Sequence, residues 1–479
     1  MVIENCEMKI DKIMDKILNI IKKIIPVKLF KAFQPVYHFV FNYLASLVYK
    51  NPSEKMIIIG ITGTTGKTSS VYMTAEILKQ AGYKVGYTST AMFSDGNKEW
   101  LNDKKMTMVG RFFTQRLLSR MFKNGCHYAI IETTSEGIRQ FRHRFINYDI
   151  LVFTGLYPEH IDSHGSFEKY KEAKGELFAH FKKCKTKYSD DQSRVQKGVV
   201  NIRKIDLNRV KKTIIVNGED ENSDYFLDFW AERKIGYYKF GNKKNDNREQ
   251  FEKIYFGDIE SDSEGIKFKF NESRVNLNIL GEFNAQNSMN AVSVAVSQKI
   301  EEKDIIKGWE SIRGIAGKLE RINVGQNFVV IVDYAFEPNA MEKLYQVVEK
   351  LKHNKVIHVL GSTGGGRDVS RRGELGKIAG EKADKVIVTN EDPYDEDPEI
   401  IIAQVASGVE YRGKKEGKNL YKIIDRREAI SKALHLAGKN DIVLITGKGC
   451  EQAICEAKGR KTKWDDREVA REELNRLLN

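Results

Sequence analysis

Residues 56–70 read Met-Ile-Ile-Ile-Gly-Ile-Thr-Gly-Thr-Thr-Gly-Lys-Thr-Ser-Ser. An apolar strand runs into a turn of glycines and threonines, after which Lys67 and Thr68 open a helix. That order builds a phosphate cradle. Gly63 and Gly66 let backbone N–H groups approach an anion, and the helix N-terminus adds its dipole. Lys67 reaches outward to the terminal phosphates, and the Thr68 hydroxyl is a ligand for Mg²⁺. Thr64, Thr65 and Ser69 complete the expected nucleotide-binding loop. The strict G-x-x-x-x-G-K-[ST] pattern has a glycine where Ile61 stands, so the loop is a T-G-T-T-G-K-T variant.

Around this loop strands and helices alternate. Strands are expected at Met56–Ile61, Ala129–Glu132 and Ile150–Thr154, with helices near 68–81 and 111–124. Residues 185–275 are richer in Lys, Asp and Asn and read as a peripheral, partly antiparallel region with a strand at Ile266–Phe270. A second alternating series starts near residue 316, with strands at Val329–Asp333, Val356–Leu360, Val386–Thr389 and Ile442–Thr446. The fold class expected is therefore α/β: a central P-loop three-layer ATPase domain with a mainly parallel sheet over 55–315, and a C-terminal Rossmann-like α/β domain over 316–479. A short helical segment, 1–54, precedes them. Ligand sites in open α/β sheets lie at the C-terminal strand ends, which here carry Asp333, Gly361–Asp368, Thr389–Pro393 and Gly447–Glu451.

The chain of 479 residues is long enough for two or three cores. Its 79 Lys and Arg outnumber 66 Asp and Glu, giving +13 without any dense basic block. Nucleic-acid binding is not expected, since no arginine-rich or aromatic-interleaved strip occurs; an anionic small substrate, a membrane surface or solubility accounts equally well for the charge. The five cysteines form no C-x-x-C pair, which points to a reducing, cytoplasmic setting.

At the N-terminus Ile10, Ile13, Ile17, Ile21 and Ile24 share one helical face, with Lys12, Lys16 and Lys22 elsewhere. No charge occurs from Ala32 to Tyr49, yet Gln34, His38, Asn42 and Ser46 recur every fourth residue as a polar stripe. Two amphipathic helices broken near Pro26 and Pro35 are expected, packed on the protein body or lying on the inner face of a membrane through residues 9–50. A true span is the remaining alternative.

Several residues carry chemistry. Glu132 ends a buried strand downstream of the loop, where a carboxylate holds Mg²⁺ beside phosphates. His160 and His164 follow the strand 150–154. Lys174 shares a helical stripe with Tyr170, Leu177, Phe178 and Phe181, so it faces inward, whereas Lys169 and Lys171 do not. A buried ammonium is costly; carbamylation by CO₂ would make it an anionic oxygen ligand, and snorkelling to solvent is the alternative.

The runs T-G-T-T-G-K-T, E-T-T-S-E-G, E-H-I-D-S-H-G-S-F-E-K-Y-K-E-A-K, L-G-E-F-N-A-Q-N, V-D-Y-A-F-E-P-N-A, G-G-G-R-D and T-G-K-G-C-E, in that order, closely resemble the Mur ligase family, most of all its UDP-N-acetylmuramoyl-tripeptide synthetase branch. The resemblance implies an ATP-dependent acid–amino-acid ligase of peptidoglycan synthesis. An acceptor carboxylate attacks the γ-phosphate of ATP, and an amino group captures the acyl phosphate. It implies that Lys67, Glu132, His160 and Lys174 are catalytic, with Thr68 and Glu132 holding one Mg²⁺ and His160 and carbamylated Lys174 a second. Asn284 and Asn287 would meet the adenine end of ATP, Asp333 the ribose, and Lys318 and Arg367 the nucleotide. Thr107, Thr134, Ser135 and Arg142 would contact the muramoyl-dipeptide. Arg367, Gly447 and Glu451, with Asp392 and Tyr394, would meet an incoming diamino acid such as lysine or diaminopimelate. A monomer is expected.

Four departures shape these expectations. The family carries a UDP-gripping domain where this chain has residues 1–54, which leaves a lipid-linked acceptor open. The family's D-N-P-R is Glu391-Asp392-Pro393-Tyr394 here, which removes the arginine fork for diaminopimelate and leaves Asp392 to favour a distal ammonium such as that of lysine. Phe336 and Cys450 replace two histidines, and Lys318 replaces an arginine. Two rival functions are a folylpolyglutamate- or cyanophycin-type ligase and a non-catalytic nucleotide-binding partner docked to a membrane.

Overall fold

A computed structural model describes residues 27–158, 164–189, 195–197, 208–242, 250–366 and 369–479. The chain forms two compact units. One takes residues up to 100 with 106–255 and 289–308; the other takes 101–105, 256–288 and 309–479.

The first unit opens with helix α1 (Val27–Val48). It then builds strands β1 (Ile57–Thr62), β2 (Val85–Thr88), β3 (Met92–Ser94), β4 (Tyr128–Glu132), β5 (Ile150–Phe153), β6 (Thr213–Asn217) and β7 (Arg233–Lys239). Their spatial order is β7-β6-β5-β1-β4-β2-β3. The pairs from β7 to β2 are parallel, and β2–β3 is antiparallel. Every β1 residue is buried, as a strand covered on both faces requires. Ile58, Ala129 and Leu151 share a core with Leu117 and Leu118 of α3 (Arg111–Lys123) and with Leu177 and Phe178 of a helix at Phe167–Phe181. The first residues of helix α2 (Lys67–Gln80) follow directly on the loop after β1, and its body packs along β1, β2 and β4. β1 is thus flanked by β5 and β4, and its register sets Ile61 opposite Glu132.

Helix α1 differs from expectation in one respect: it runs unbroken through Pro35. Pro35 lies on the exposed side of the helix. The helix expected over residues 9–25 lies outside the described residues. No described helix is long and apolar enough to cross a membrane.

In the second unit, strands β8 (Glu320–Ile322), β9 (Val329–Asp333), β10 (Val356–Leu360), β11 (Lys385–Val388), β12 (Leu420–Lys422) and β13 (Ile442–Thr446) lie in the order β8-β9-β13-β10-β11-β12. All but β8 run parallel. The sheet is wound on both faces. Ile442 and Leu444 pack with Leu344, Leu375 and Val405 on one side; Val443 and Ile445 pack with Ile430, Val469 and Leu474 on the other. Two helices here exceed the expected series, Pro398–Tyr411 and Asp466–Leu478. Both have aspartate N-caps, Asp397 and Asp465, and Pro398 occupies the first helical turn, a start signal readable in the sequence.

Candidate active site

The loop after β1 is built around glycines. Gly63 has φ 150°, and a Cβ there would lie 2.0 Å from Thr154 Oγ1 and 2.9 Å from the Gly155 carbonyl oxygen. Gly66 has φ 80° and stands at the start of the following helix. The loop is pinned by Thr64 N–H donating to Gly155 O (2.9 Å) and Thr154 Oγ1 donating to Thr65 O (2.6 Å).

Two ammonium groups converge on this turn. Lys67 Nζ donates to Gly63 O (3.1 Å) and Thr64 O (2.7 Å). Lys174 Nζ donates to the same Gly63 O at 2.9 Å and lies 4.5 Å from the Tyr170 ring centroid. Lys174 is 1% exposed, so the stripe read from its helix does face inward. Two cations sharing one carbonyl make a strongly positive pocket that favours an anion.

Thr68 and Glu132 meet as expected: Thr68 Oγ1 donates to Glu132 Oε2 at 2.9 Å. Thr90, which sequence reasoning missed, donates to the same carboxylate from its backbone N (2.8 Å) and its Oγ1 (2.9 Å). A carboxylate and a hydroxyl oxygen on one point suit a hard cation such as Mg²⁺. Thr107 Oγ1 lies 2.8 Å from Thr90 Oγ1, which ties that acceptor candidate to the same cluster. Ser135 Oγ lies 3.1 Å from His164 Nε2, and Thr134 caps a short helix by accepting from Gly137 N. Arg142 donates to Met108 O and, at 2.6 Å, to Gln140 Oε1; burial and the neighbouring Arg111 push its guanidinium down to about 10. His160 and Arg367 lie outside the described residues. Among the described residues no three His, Cys, Asp or Glu side chains converge as a metal cluster.

The second unit holds the remaining candidates. Asp333 ends β9 and accepts from the backbone N–H of Leu319 and of Ala335, each at 2.7 Å. Burial raises its carboxyl above the usual range against the pull of Lys318. Lys318 Nζ lies 4.5 Å from the Tyr334 ring centroid. Asn284 donates to Leu280 O and accepts from Asn287 Nδ2 at 2.9 Å.

A pocket is lined by Lys105, Phe336, Glu391, Asp392, Tyr394 and Glu451, beside Gly447. Asp392, expected to meet a ligand's distal ammonium, is bonded to two of the protein's own. Lys105 Nζ donates to both of its oxygens (2.9 and 2.8 Å), and Lys448 Nζ donates to Oδ1 at 2.8 Å. Burial alone would raise the Asp392 carboxyl, but Lys448 and Lys105 outweigh it and hold it low. The carboxylate with spare capacity is its neighbour. Glu391 is buried, and its Oε2 has no hydrogen-bond partner among the described residues. Burial pushes its carboxyl up to about 7, against Lys448 and Arg426. Gly447 has φ 101°, and a Cβ there would come 2.3 Å from Glu391 Oε2. Lys105 was not singled out from the sequence, whereas Glu391 and Lys448 fall in the stretches 391–394 and 447–451 that were. Cys450 is buried, and burial pushes its thiol up to about 12, which disfavours the thiolate that a nucleophile needs.

Fold and loop define an α/β P-loop protein. Residues 61–201 and 203–295 match the Mur ligase middle domain, and residues 317–449 match the Mur ligase, glutamate ligase domain. The chain is 34% identical over 443 residues to a UDP-N-acetylmuramyl-tripeptide synthetase of Roseiflexus sp. (strain RS-1), a match spanning 91% of this chain and 81% of that protein. It is 30% identical over 440 residues to a UDP-N-acetylmuramoyl-L-alanyl-D-glutamate–2,6-diaminopimelate ligase of Syntrophomonas wolfei, with 90% and 81% covered. A solved structure of a ligase of the latter name aligns with TM-score 0.56 at 25% identity over 88% of this chain and 79% of that one. The chain belongs to the Mur ligase family. It is therefore an ATP-dependent, Mg²⁺-using ligase that forms peptide bonds.

Proposed function

We propose that this protein adds an amino acid to the peptide of a muramoyl-linked cell-wall precursor, with residues 55–315 binding ATP and residues 316–479 binding the amino acid. The observation that carries the chemistry is the pair Lys67 and Lys174 on the Gly63 carbonyl, with Thr68, just after that loop, in contact with Glu132 at the end of the neighbouring strand. The names of the Roseiflexus and Syntrophomonas relatives support the acceptor class. An acceptor carboxylate oxygen bonds to the γ-phosphorus as the β–γ bridging bond breaks and ADP leaves. The amine nitrogen of the amino acid then bonds to the acyl carbon, phosphate departs, and the ammonium's proton passes to solvent. Lys67 reaches the γ-phosphate and offsets the repulsion between two anions. Bound Mg²⁺ supplies Lewis-acid screening of the phosphate oxygens; Thr68 and Glu132 would hold one ion, and His160 with Lys174 a second. Lys174 would do so as its carbamate, formed when its neutral amine bonds to CO₂ and loses a proton. That conversion replaces one of two adjacent cations by an anion, which relieves their repulsion. Thr107, Ser135 and Arg142 would orient the acceptor, and Asp333, Asn284 and Asn287 the nucleotide.

Phosphate release from ATP, measured with UDP-linked and lipid-linked muramoyl-dipeptide against a panel of amino acids, tests the proposal. Release requiring both acceptor and amino acid is expected. Release indifferent to every muramoyl acceptor, or supported only by a folate or polypeptide acceptor, would sink it.

A further inference from the structure

Helix α1 is inside out. Its polar residues Asn42 and Ser46 are 4% and 1% exposed, whereas Val36, Phe39, Val40, Tyr43, Leu47 and Val48 are 41% to 59% exposed. Those six fall at helical spacing and form one outward apolar stripe. The inward side is held by specific contacts. Asn42 Nδ2 donates to Gln140 O (3.2 Å), and the Phe39 and Tyr43 rings lie 5.2 and 5.5 Å from the Phe145 ring at the edge of the stripe. Tyr37 stacks under the Arg111 guanidinium at 4.9 Å. A helix whose outer face met only water would show the opposite arrangement, so the stripe calls for an apolar cover.

The surrounding charge says which phase. No charged residue lies between Ala32 and Tyr49, and Lys28, Lys31 and Lys50 flank that span. Helix α3, on which α1 packs, carries Arg111, Arg116 and Lys123 and no acid, while its Arg120 pairs with Asp95. The segment that touches α1 at Gln140 adds Arg139 and Arg144, with the single acid Glu136 one turn earlier. An apolar stripe rimmed by cations complements an anionic lipid surface. A second copy would set the same cations against one another.

We propose that α1 seats this protein on an anionic bilayer, its apolar stripe at the boundary between headgroups and acyl chains and the cationic rim on lipid phosphates. The seat is independent of which peptide bond the ligase forms. The test uses the full chain in co-sedimentation with vesicles of phosphatidylcholine alone and of phosphatidylcholine with about one-third phosphatidylglycerol. Binding to the anionic vesicles is expected, with release by salt. The double substitution Val40→Glu and Leu47→Glu should weaken it by at least about tenfold. Both positions are exposed, so the thermal unfolding midpoint should not move. Failure to bind any vesicle, or undiminished binding of the substituted chain, overturns the proposal. So does a dimer in light scattering that the same two substitutions dissociate, which would assign the stripe to a second copy.

Discussion

Lys105 Nζ lies 2.8 Å from Asp392 Oδ2 and 3.1 Å from Glu451 Oε2, across 287 positions of sequence in the first case. Lys448 Nζ reaches the same two carboxylates, at 2.8 and 2.6 Å. Two ammonium groups thus answer two carboxylates inside the pocket, and Glu391 is left as the uncommitted acid. Lys105→Met removes one cation and leaves the pocket more negative. With phosphate release as readout, KM for lysine should fall about three- to tenfold and KM for glutamate should rise, as expected for one charge at short range in a half-buried site. A higher KM for lysine would mean that Lys105 shapes the pocket instead of screening it.

Glu391 gives the pocket a pH signature. Its carboxyl sits near 7 in the folded chain because burial penalises the anion. An ammonium ligand needs that anion, so kcat/KM for the amino acid should rise with pH up to about 7 and then level. Glu391→Gln should abolish the inflection and lower kcat/KM at neutral pH. For stability the sign is opposite. The folded state holds a proton that the unfolded chain has released, so stability from this group falls as pH rises from the ordinary glutamate range to about 7. Coincident pH profiles for the native chain and Glu391→Gln would show that Glu391 does not meet the ligand.

How far the sequence carries depends on whether a feature is local. The phosphate loop was legible because its glycines, Lys67 and Thr68 lie within a few residues and the strand before them is uniformly apolar. Lys174 was legible because helical spacing put it in line with Tyr170 and Phe178. At α1 the same spacing leaves the direction open: a stripe identifies which residues share a face but not which face meets water, and Asn42 and Ser46 are the inner ones. Pro35 reads as a break because its ring removes a helical hydrogen bond, yet α1 continues through it. The occupation of Asp392 by Lys105 and Lys448 was invisible, since ion pairs between distant segments leave no periodic trace.

Lys174 carries the next test. If it becomes a carbamate, the intact protein should gain the mass of one CO₂ in bicarbonate buffer, and Lys174→Ala should lose that gain. Ligase activity of the substituted chain should fall by roughly a thousandfold, the scale of losing a preorganised charge at a reacting phosphate. Short carboxylates such as acetate should restore part of it by taking the oxygen ligand's place. Full activity of Lys174→Ala without any added carboxylate would exclude the carbamate.

The first unit rests on a buried charge cluster that no catalytic role explains. Asp149 is fully buried, and its Oδ2 accepts from Ile58 N (2.8 Å) and Lys187 Nζ (2.5 Å) while Oδ1 accepts from Lys212 Nζ (2.9 Å). Lys187 also donates to Met56 O and Asn147 O, each at 2.7 Å, which fastens the entry to β1 against the turn before β5. Asp149→Asn would leave two ammonium groups buried without their anion, at a cost of about 3–5 kcal/mol. Burial holds Lys187 down to about 8 despite Asp149. The unfolded chain therefore binds the extra proton between about 8 and the ordinary lysine value, and stability from this group rises with pH across that window. Urea unfolding at about one unit below and one above pH 8 should show the rise in the native chain and its loss in Lys187→Met. If instead Lys187→Met keeps the pH slope, the titrating group lies elsewhere and Asp149 is paired chiefly by Lys212.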